Sequence, residues 1–148
     1  MHRILMEFDV PQKDILVDIP MTITRGVVSY DLCIARKDRI DARKFWTQSG
    51  QGKDEDTKTA TLQRLKQISI IAELKTASSA TTRKELKNDL LKMCGAVKFL
   101  ERNGAVEFPD CFLVVFDPEG ALPVRGAYSD MKRLWPEGVP EPRILIGP

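Results

Sequence analysis

A chain of 148 residues, of which 43% are hydrophobic and 30% charged, is long enough to form one domain with a substantial core. No apolar run approaches the roughly 18 residues of a transmembrane helix, and we expect no membrane association. The first residues lack the long apolar core of a secretory signal. The three cysteines are widely spaced and form no CxxC pair, which argues against a disulfide framework or a zinc knuckle. A reducing compartment is therefore expected, the cytoplasm or, in a eukaryote, the nucleus.

The net charge of +2 hides an uneven distribution. Residues 25–102 contain 17 Lys or Arg against 10 Asp or Glu, whereas residues 103–148 contain 4 against 7. A basic excess in the middle of the chain suits a polyanionic partner such as nucleic acid. A solvated surface of mixed charge explains the same pattern equally well.

The first part of the chain predicts a hairpin followed by a polar insertion. Residues 14–24 and 27–35 are rich in β-branched and apolar residues, which favours two strands, and the short connection between them favours antiparallel pairing. Residues 36–66 are polar and dense in charge. Within or near this insertion the sequence predicts a mobile loop over 48–56 and a short helix over 59–67.

The second part predicts a third strand, a long helix and a fourth strand. The strands are Ile68–Thr76 and Cys111–Phe116. The helix covers 82–102, because Leu86, Leu90, Met93, Val97 and Leu100 recur at spacings of three and four. Asn103–Gly104 is typical of its end. The fold class is therefore α/β, in one domain over 1–148: a three-strand meander, then a crossover helix and a further strand in one mixed sheet, with an irregular tail over 118–148.

Two opposite charges interrupt the apolar third strand. Glu73 and Lys75 are two residues apart, so on a strand they point to the same face. A charged pair inside a core strand is costly unless something requires it. A carboxylate that holds a divalent metal, beside an ammonium that orients a water, is one such requirement. An exposed pair at a sheet edge is the alternative.

Asp31 is a second unusual charge, inside the strand that we expect to neighbour the third. Facing carboxylates of Asp31 and Glu73 would repel one another unless a cation lay between them. Mg²⁺, with Mn²⁺ as a substitute, takes such oxygen ligands and leaves room for phosphate oxygens. With Lys75 to position water, these residues meet the minimum for hydrolysis of a phosphodiester bond. A simple ion pair of Asp31 with Arg25 or Arg36 is the alternative. Asp18 also interrupts an apolar strand, as an outward-facing residue or as a second ligand.

These residues together resemble the PD-(D/E)XK nuclease superfamily. The resemblance rests on Tyr30-Asp31-Leu32-Cys33-Ile34, on Ala72-Glu73-Leu74-Lys75, and on the helix and apolar strand that follow. It implies a restriction-endonuclease-like core over about 14–117 and a magnesium-dependent nuclease that acts on DNA. Asp31 and Glu73 would bind the metal and Lys75 would complete the catalytic set. It also implies a homodimer as a candidate assembly.

The chain departs from the family pattern in three respects. Tyr30 stands where the motif often has proline, and the gap between Asp31 and Glu73 is long, which requires the insertion over 36–66. No convincing helix precedes the first strand, and Glu7 is the only nearby substitute for the acidic residue that such a helix often contributes. A polar residue on the helix after the third strand, used by some members, would correspond to Lys87 or Asn88.

Five basic residues are candidates for contacts with nucleic acid: Lys84, Lys87 and Lys92 on the long helix, and Arg43 and Lys44 in the insertion beside Phe45 and Trp46. An ordinary solvated helix face and a small packed lid are the corresponding alternatives. The chain contains no GxxxxGK[ST], GxGxxG, HExxH or GxSxG pattern. Its single histidine, His2, argues against a Ser-His-Asp or Cys-His site.

Two other functional classes stay open from the sequence. One is a catalytically inactive domain of the same fold that binds nucleic acid or protein. The other is a structural or interaction protein of a mobile element that has no affinity for nucleic acid. Metal-dependent cleavage would distinguish the nuclease from the first, and salt-sensitive DNA binding would exclude the second.

Overall fold

The computed structural model describes residues 15–23, 26–36, 54–77, 83–117, 129, 132–133 and 135–147. Predictions that concern Glu7, Arg43 and Lys44 lie outside these residues, as do the aromatic residues of the insertion. The side chains of 17–23, 26–27 and 54–58 are likewise not described.

The described residues form one sheet and two long helices. In chain order they are β1 (Ile15–Ile23), β2 (Gly26–Ala35), α1 (Asp54–Lys66), β3 (Ile68–Thr76), α2 (Arg83–Arg102), β4 (Asp110–Phe116) and β5 (Arg143–Gly147). The strands lie in the order β1-β2-β3-β4-β5. β1, β2 and β3 pair antiparallel, whereas β4 runs parallel to β3, and β5 runs parallel to β4. The predicted meander, crossover helix and mixed α/β class are confirmed.

The β1–β2 hairpin has a short turn because Ile23 pairs with Gly26, which leaves two residues between the strands. Its register is regular from Ile15–Ile34 to Ile23–Gly26. β2 then pairs with β3 through Leu32–Ala72, with a shift in register between Ile34 and Ala35. This pairing brings the two charged strands together and positions the site.

Helix α2 covers one face of the sheet with the predicted apolar stripe. All five stripe residues, Leu86, Leu90, Met93, Val97 and Leu100, are fully buried, in one cluster with Ile71, Leu113 and Val115 of the sheet. The helix ends in a Schellman arrangement in which Gly104 has φ 70°, the amide of Gly104 donates to the Glu101 carbonyl and the amide of Ala105 donates to the Leu100 carbonyl. Neither described helix is sufficiently long and apolar to span a membrane.

The expectation of an irregular tail is wrong for Arg143–Gly147. These residues form β5, in which Leu145 pairs with Val114 of β4. The apolar run of β5 is only three residues long, Ile144 to Ile146, so its strand propensity is too little to define a strand by itself, and β4 supplies its hydrogen bonds. Pairing along the exposed edge of β4, a tertiary interaction, therefore decides this element.

Tyr30 joins the sheet to α2 through a buried hydrogen bond. Its side chain is fully buried, and its hydroxyl donates to the Lys92 carbonyl over 3.0 Å. We expect Tyr30→Phe to lower the free energy of unfolding by about 1 kcal/mol. The variant loses the hydrogen bond of the tyrosine hydroxyl, whereas the Lys92 carbonyl keeps its hydrogen-bond partner within the helix. Urea unfolding of the two proteins measures the difference. Equal stability would show that this bond contributes nothing to the attachment of α2.

Candidate functional site

Asp31 and Glu73 lie on adjacent strands at the same level of the sheet. The β2–β3 register pairs Leu32 with Ala72, and if continued for one step it would set Asp31 across from Glu73. At this step Asp31 Oδ2 accepts a hydrogen bond from the Leu74 amide at 2.8 Å. The bond does not involve Oδ1. The Asp31 carboxylate is therefore anchored to the β3 backbone beside Glu73.

Glu73 is a buried carboxylate with one compensated oxygen. The residue is 2% exposed, and Oε2 accepts a hydrogen bond from Lys92 Nζ at 2.8 Å. Oε1 has no hydrogen-bond partner among the described residues. Burial raises the pKa of Glu73 to about 7, the bond and charge of Lys92 oppose this, and the charges of Asp31 and Asp89 add to it. At neutral pH the carboxyl is therefore close to half ionised.

Lys75 points to α2, where Asp89 binds it. Lys75 Nζ lies 3.0 Å from Asp89 Oδ2, and Lys92 Nζ lies 3.3 Å from Asp89 Oδ1. The Asp89 side chain is 11% exposed, whereas those of Lys75 and Lys92 are 28% and 29% exposed. One nearly buried carboxylate thus contacts two partly solvated ammonium groups.

The charge of Lys92 is stabilised by its two acidic neighbours. Burial by itself would lower the pKa of Lys92, but the hydrogen bonds and charges of Glu73 and Asp89 together raise the pKa above its ordinary value. Lys92 is therefore a permanent cation near neutral pH. It compensates Glu73 whenever that carboxyl is ionised.

The sequence predicted three residues of this site, Asp31, Glu73 and Lys75. It did not predict the roles of Asp89 and Lys92. It assigned Lys92 to nucleic-acid contacts and did not consider Asp89. The available signal was the position of Asp89, three residues after Leu86 and four before Met93, which places an acidic residue on the buried stripe of α2. The helix residues suggested by the resemblance, Lys87 and Asn88, are half-buried and exposed respectively. The residues of α2 that contact Glu73 and Lys75 are Lys92 and Asp89 instead.

Only two carboxylates of the described residues are available for a metal ion at this position, those of Asp31 and Glu73. Among the residues that the structure describes, no three Asp, Glu, His or Cys side chains are arranged to hold a metal ion. Mg²⁺ commonly binds one or two carboxylates and completes its octahedron with water and phosphate oxygens, so Asp31 and Glu73 are the residues that would hold such an ion. The unpartnered Glu73 Oε1 is the polar atom that such an ion would compensate. By register Asp18 lies across from Asp31 on β1.

The cysteines take no part in this chemistry. Cys33, Cys94 and Cys111 are buried and unbridged, as expected of structural thiols. Burial raises the pKa of each, so none is a thiolate at neutral pH. Nucleophilic catalysis by cysteine is therefore not a function of this core.

Comparison of the chain with protein-family models, curated proteins and solved structures finds no match. Its function is therefore inferred from the residues of the site. Those residues are Asp31, Glu73 and Lys75 on the sheet, with Asp89 and Lys92 on α2.

Proposed function

We propose that the protein is a metal-dependent nuclease that hydrolyses phosphodiester bonds in DNA, on a restriction-endonuclease-like core. The observation that carries this proposal is the Glu73 carboxylate, which is 2% exposed and leaves Oε1 without a partner among the described residues, beside the anchored carboxylate of Asp31. A buried carboxylate oxygen with no partner is costly. A divalent cation bound by the two carboxylates would offset that cost.

Asp31 and Glu73 would hold Mg²⁺ or Mn²⁺. When bound, the ion supplies positive charge to the phosphate oxygens and lowers the pKa of a coordinated water. The Leu74 amide fixes Asp31 through Oδ2, and Lys92 fixes Glu73 through Oε2. Each carboxylate therefore keeps one oxygen outside these bonds, in an orientation set by the other oxygen.

Lys75 and Lys92 supply the remaining polar groups. Both ammonium groups are partly solvated and both contact Asp89, which limits their freedom. An oriented ammonium at this position donates hydrogen bonds to a water or to a phosphate oxygen, and it stabilises negative charge that develops on the phosphate. Lys75 is the residue proposed for this role, since Lys92 is already bonded to Glu73.

Cleavage of supercoiled DNA in Mg²⁺ tests the proposal, with EDTA as the metal-free control. Asp31→Asn is the informative variant, because the asparagine oxygen still accepts the Leu74 hydrogen bond while the charge is lost. We expect its rate of cleavage to fall on the order of 100-fold, since the metal loses an anionic ligand. Asp110→Asn, an exposed change on β4, is the matched control and should leave the rate unchanged. Wild-type protein that cleaves no nucleic acid, or that cleaves equally well in EDTA, would contradict the proposal.

A non-catalytic domain that binds nucleic acid is the second candidate function. The observation that favours it is that Lys75 and Lys92 already have acidic partners, in a cluster joined through Asp89. Such a network resembles a structural ion-pair cluster, which needs no metal. DNA binding without cleavage in Mg²⁺ or Mn²⁺ is the result that selects this function.

A further inference from the structure

We propose that the outer face of α2 binds duplex DNA at its major groove. One pair of cations near each end of the helix would contact the phosphates of one of the two DNA strands that border the groove. This deepens the proposed function, because it rests on DNA as the substrate. At about 100° per residue, one stripe of the helix lies opposite the buried one. We define this outer face as Lys84, Lys87, Asn88, Leu91, Gly95, Lys98 and Arg102, all of which are exposed or half-buried.

The charge of the outer face is entirely positive and lies at its two ends. Lys84 and Lys87 form one pair, Lys98 and Arg102 form the other, and none of the seven residues is acidic. Among the described residues, none of these four cations makes an ion pair. Four unpaired cations on one side of a helix complement phosphate groups.

The centre of the outer face contains a glycine that packing does not explain. Gly95 lies in the middle of α2, where glycine destabilises a helix relative to alanine. A Cβ atom at this position would meet no heavy atom within 4 Å outside its own helix. Nothing among the described residues therefore requires that position 95 lack a side chain, whereas a partner that approaches the helix backbone closely would require it.

The spacing of the charged pairs selects the groove. Lys87 and Lys98 are separated by about 16 Å along the helix axis, at 1.5 Å per residue. The major groove of B-form DNA is about 12 Å wide between the phosphate groups that border it, and a helix fits into it. The major groove of A-form RNA is too narrow and deep for a helix, which makes duplex DNA the partner.

The same helix connects the outer face to the site. Asp89 and Lys92, which contact Lys75 and Glu73, lie between the two cation pairs in the sequence of α2. A duplex bound along the outer face therefore lies against the same helix turns that carry Asp89 and Lys92. The outer face would then determine which phosphodiester bond is presented to the carboxylates.

Fluorescence anisotropy with a labelled 20-base-pair DNA duplex, measured as a function of salt, tests the proposal in metal-free buffer. We expect the quadruple variant Lys84→Gln, Lys87→Gln, Lys98→Gln and Arg102→Gln to bind at least about ten-fold more weakly, and the logarithmic salt slope to fall by about 3. Lys66→Gln with Arg133→Gln removes exposed cations outside α2, and this control should change the affinity much less. Unchanged binding by the quadruple variant would overturn the proposal, as would equal affinity for duplex RNA or single-stranded DNA.

Gly95→Leu provides a second test that does not depend on charge. A Cβ atom at this position would meet nothing within 4 Å and leucine favours helix, so the variant should fold with a raised melting temperature. We expect it to bind duplex DNA at least about three-fold more weakly, because the side chain holds the helix backbone away from the groove. Unchanged or tighter binding would overturn the proposed contact. If the wild-type protein binds duplex DNA without cleaving it, the proposed nuclease activity is contradicted and the proposed binding by the outer face of α2 is retained. If the wild-type protein cleaves DNA and both variants bind it normally, the nuclease activity is retained and the proposed binding face is contradicted.

Discussion

Glu73→Gln is expected to reduce DNA cleavage on the order of 1,000-fold, the largest effect of any single change in this protein. Glutamine keeps the size of the side chain but removes the charge that a divalent ion requires. It also leaves Lys92 with Asp89 as its acidic neighbour, so no isolated buried charge results. The rate of cleavage of supercoiled DNA in Mg²⁺ measures the effect.

Two further measurements separate lost chemistry from lost structure. Duplex binding should persist, since the outer face of α2 is unaltered, and the far-ultraviolet circular dichroism should match that of the wild type. Glu101→Gln, an exposed change on α2, is the matched control and should cleave normally. A Glu73→Gln protein that folds and still cleaves at the wild-type rate would show that the buried carboxylate is not a metal ligand.

The stability of the folded protein should depend on pH through Glu73. In metal-free buffer the unfolded chain ionises this group near 4.5, whereas burial raises the pKa in the folded state to about 7. Between these values the folded protein binds one more proton than the unfolded chain, so the free energy of unfolding falls as the pH rises. The contribution is fully present below pH 4.5 and is lost as the pH passes about 7. It amounts to about 3 kcal/mol.

Urea unfolding of the wild type and of Glu73→Gln at pH 4.5, 6 and 8 isolates this contribution. Groups that do not interact with Glu73 cancel in the difference, and Lys92, whose pKa in the wild type is raised above 10.5 by Glu73 and Asp89, titrates outside this range. We expect the wild type to lose about 3 kcal/mol relative to the variant between the lowest and highest pH. A difference that does not vary with pH would show that Glu73 ionises normally in the folded state. Added Mg²⁺ should weaken the dependence, because it favours the ionised carboxylate.

Local sequence patterns predicted most of the secondary structure because each pattern has a local physical cause. The stripe from Leu86 to Leu100 is periodic enough to define α2, and Gly104 adopts the left-handed conformation expected after a helix. The β-branched content of β2 and the apolar run of β4 similarly predicted strands. β5 had only the short apolar run Ile144 to Ile146 as a signal, and its conformation depends on pairing with the edge of β4.

The part of the candidate site that lies on the neighbouring strands β2 and β3 could be predicted from the sequence. An aspartate on β2 and a glutamate on β3 could be expected to lie close together once the meander was expected, and the pairing of Leu32 with Ala72 and the bond from the Leu74 amide to Asp31 agree with this. The partners of Lys75 and Glu73 on α2 could not be identified in this way. They depend on the rotation and position of the helix over the sheet, which the stripe defines only approximately.

The sequence by itself determined the order of the elements, the buried face of α2 and the two carboxylates that interrupt apolar strands, because these follow from local periodicity and from the cost of burying charge. The tertiary structure alone decided that Asp89 binds both Lys75 and Lys92, that Lys92 binds Glu73, and that Glu73 Oε1 lacks a partner among the described residues. The physical reason is that contacts between a helix and a sheet depend on how the two pack, and packing is a property of the whole core.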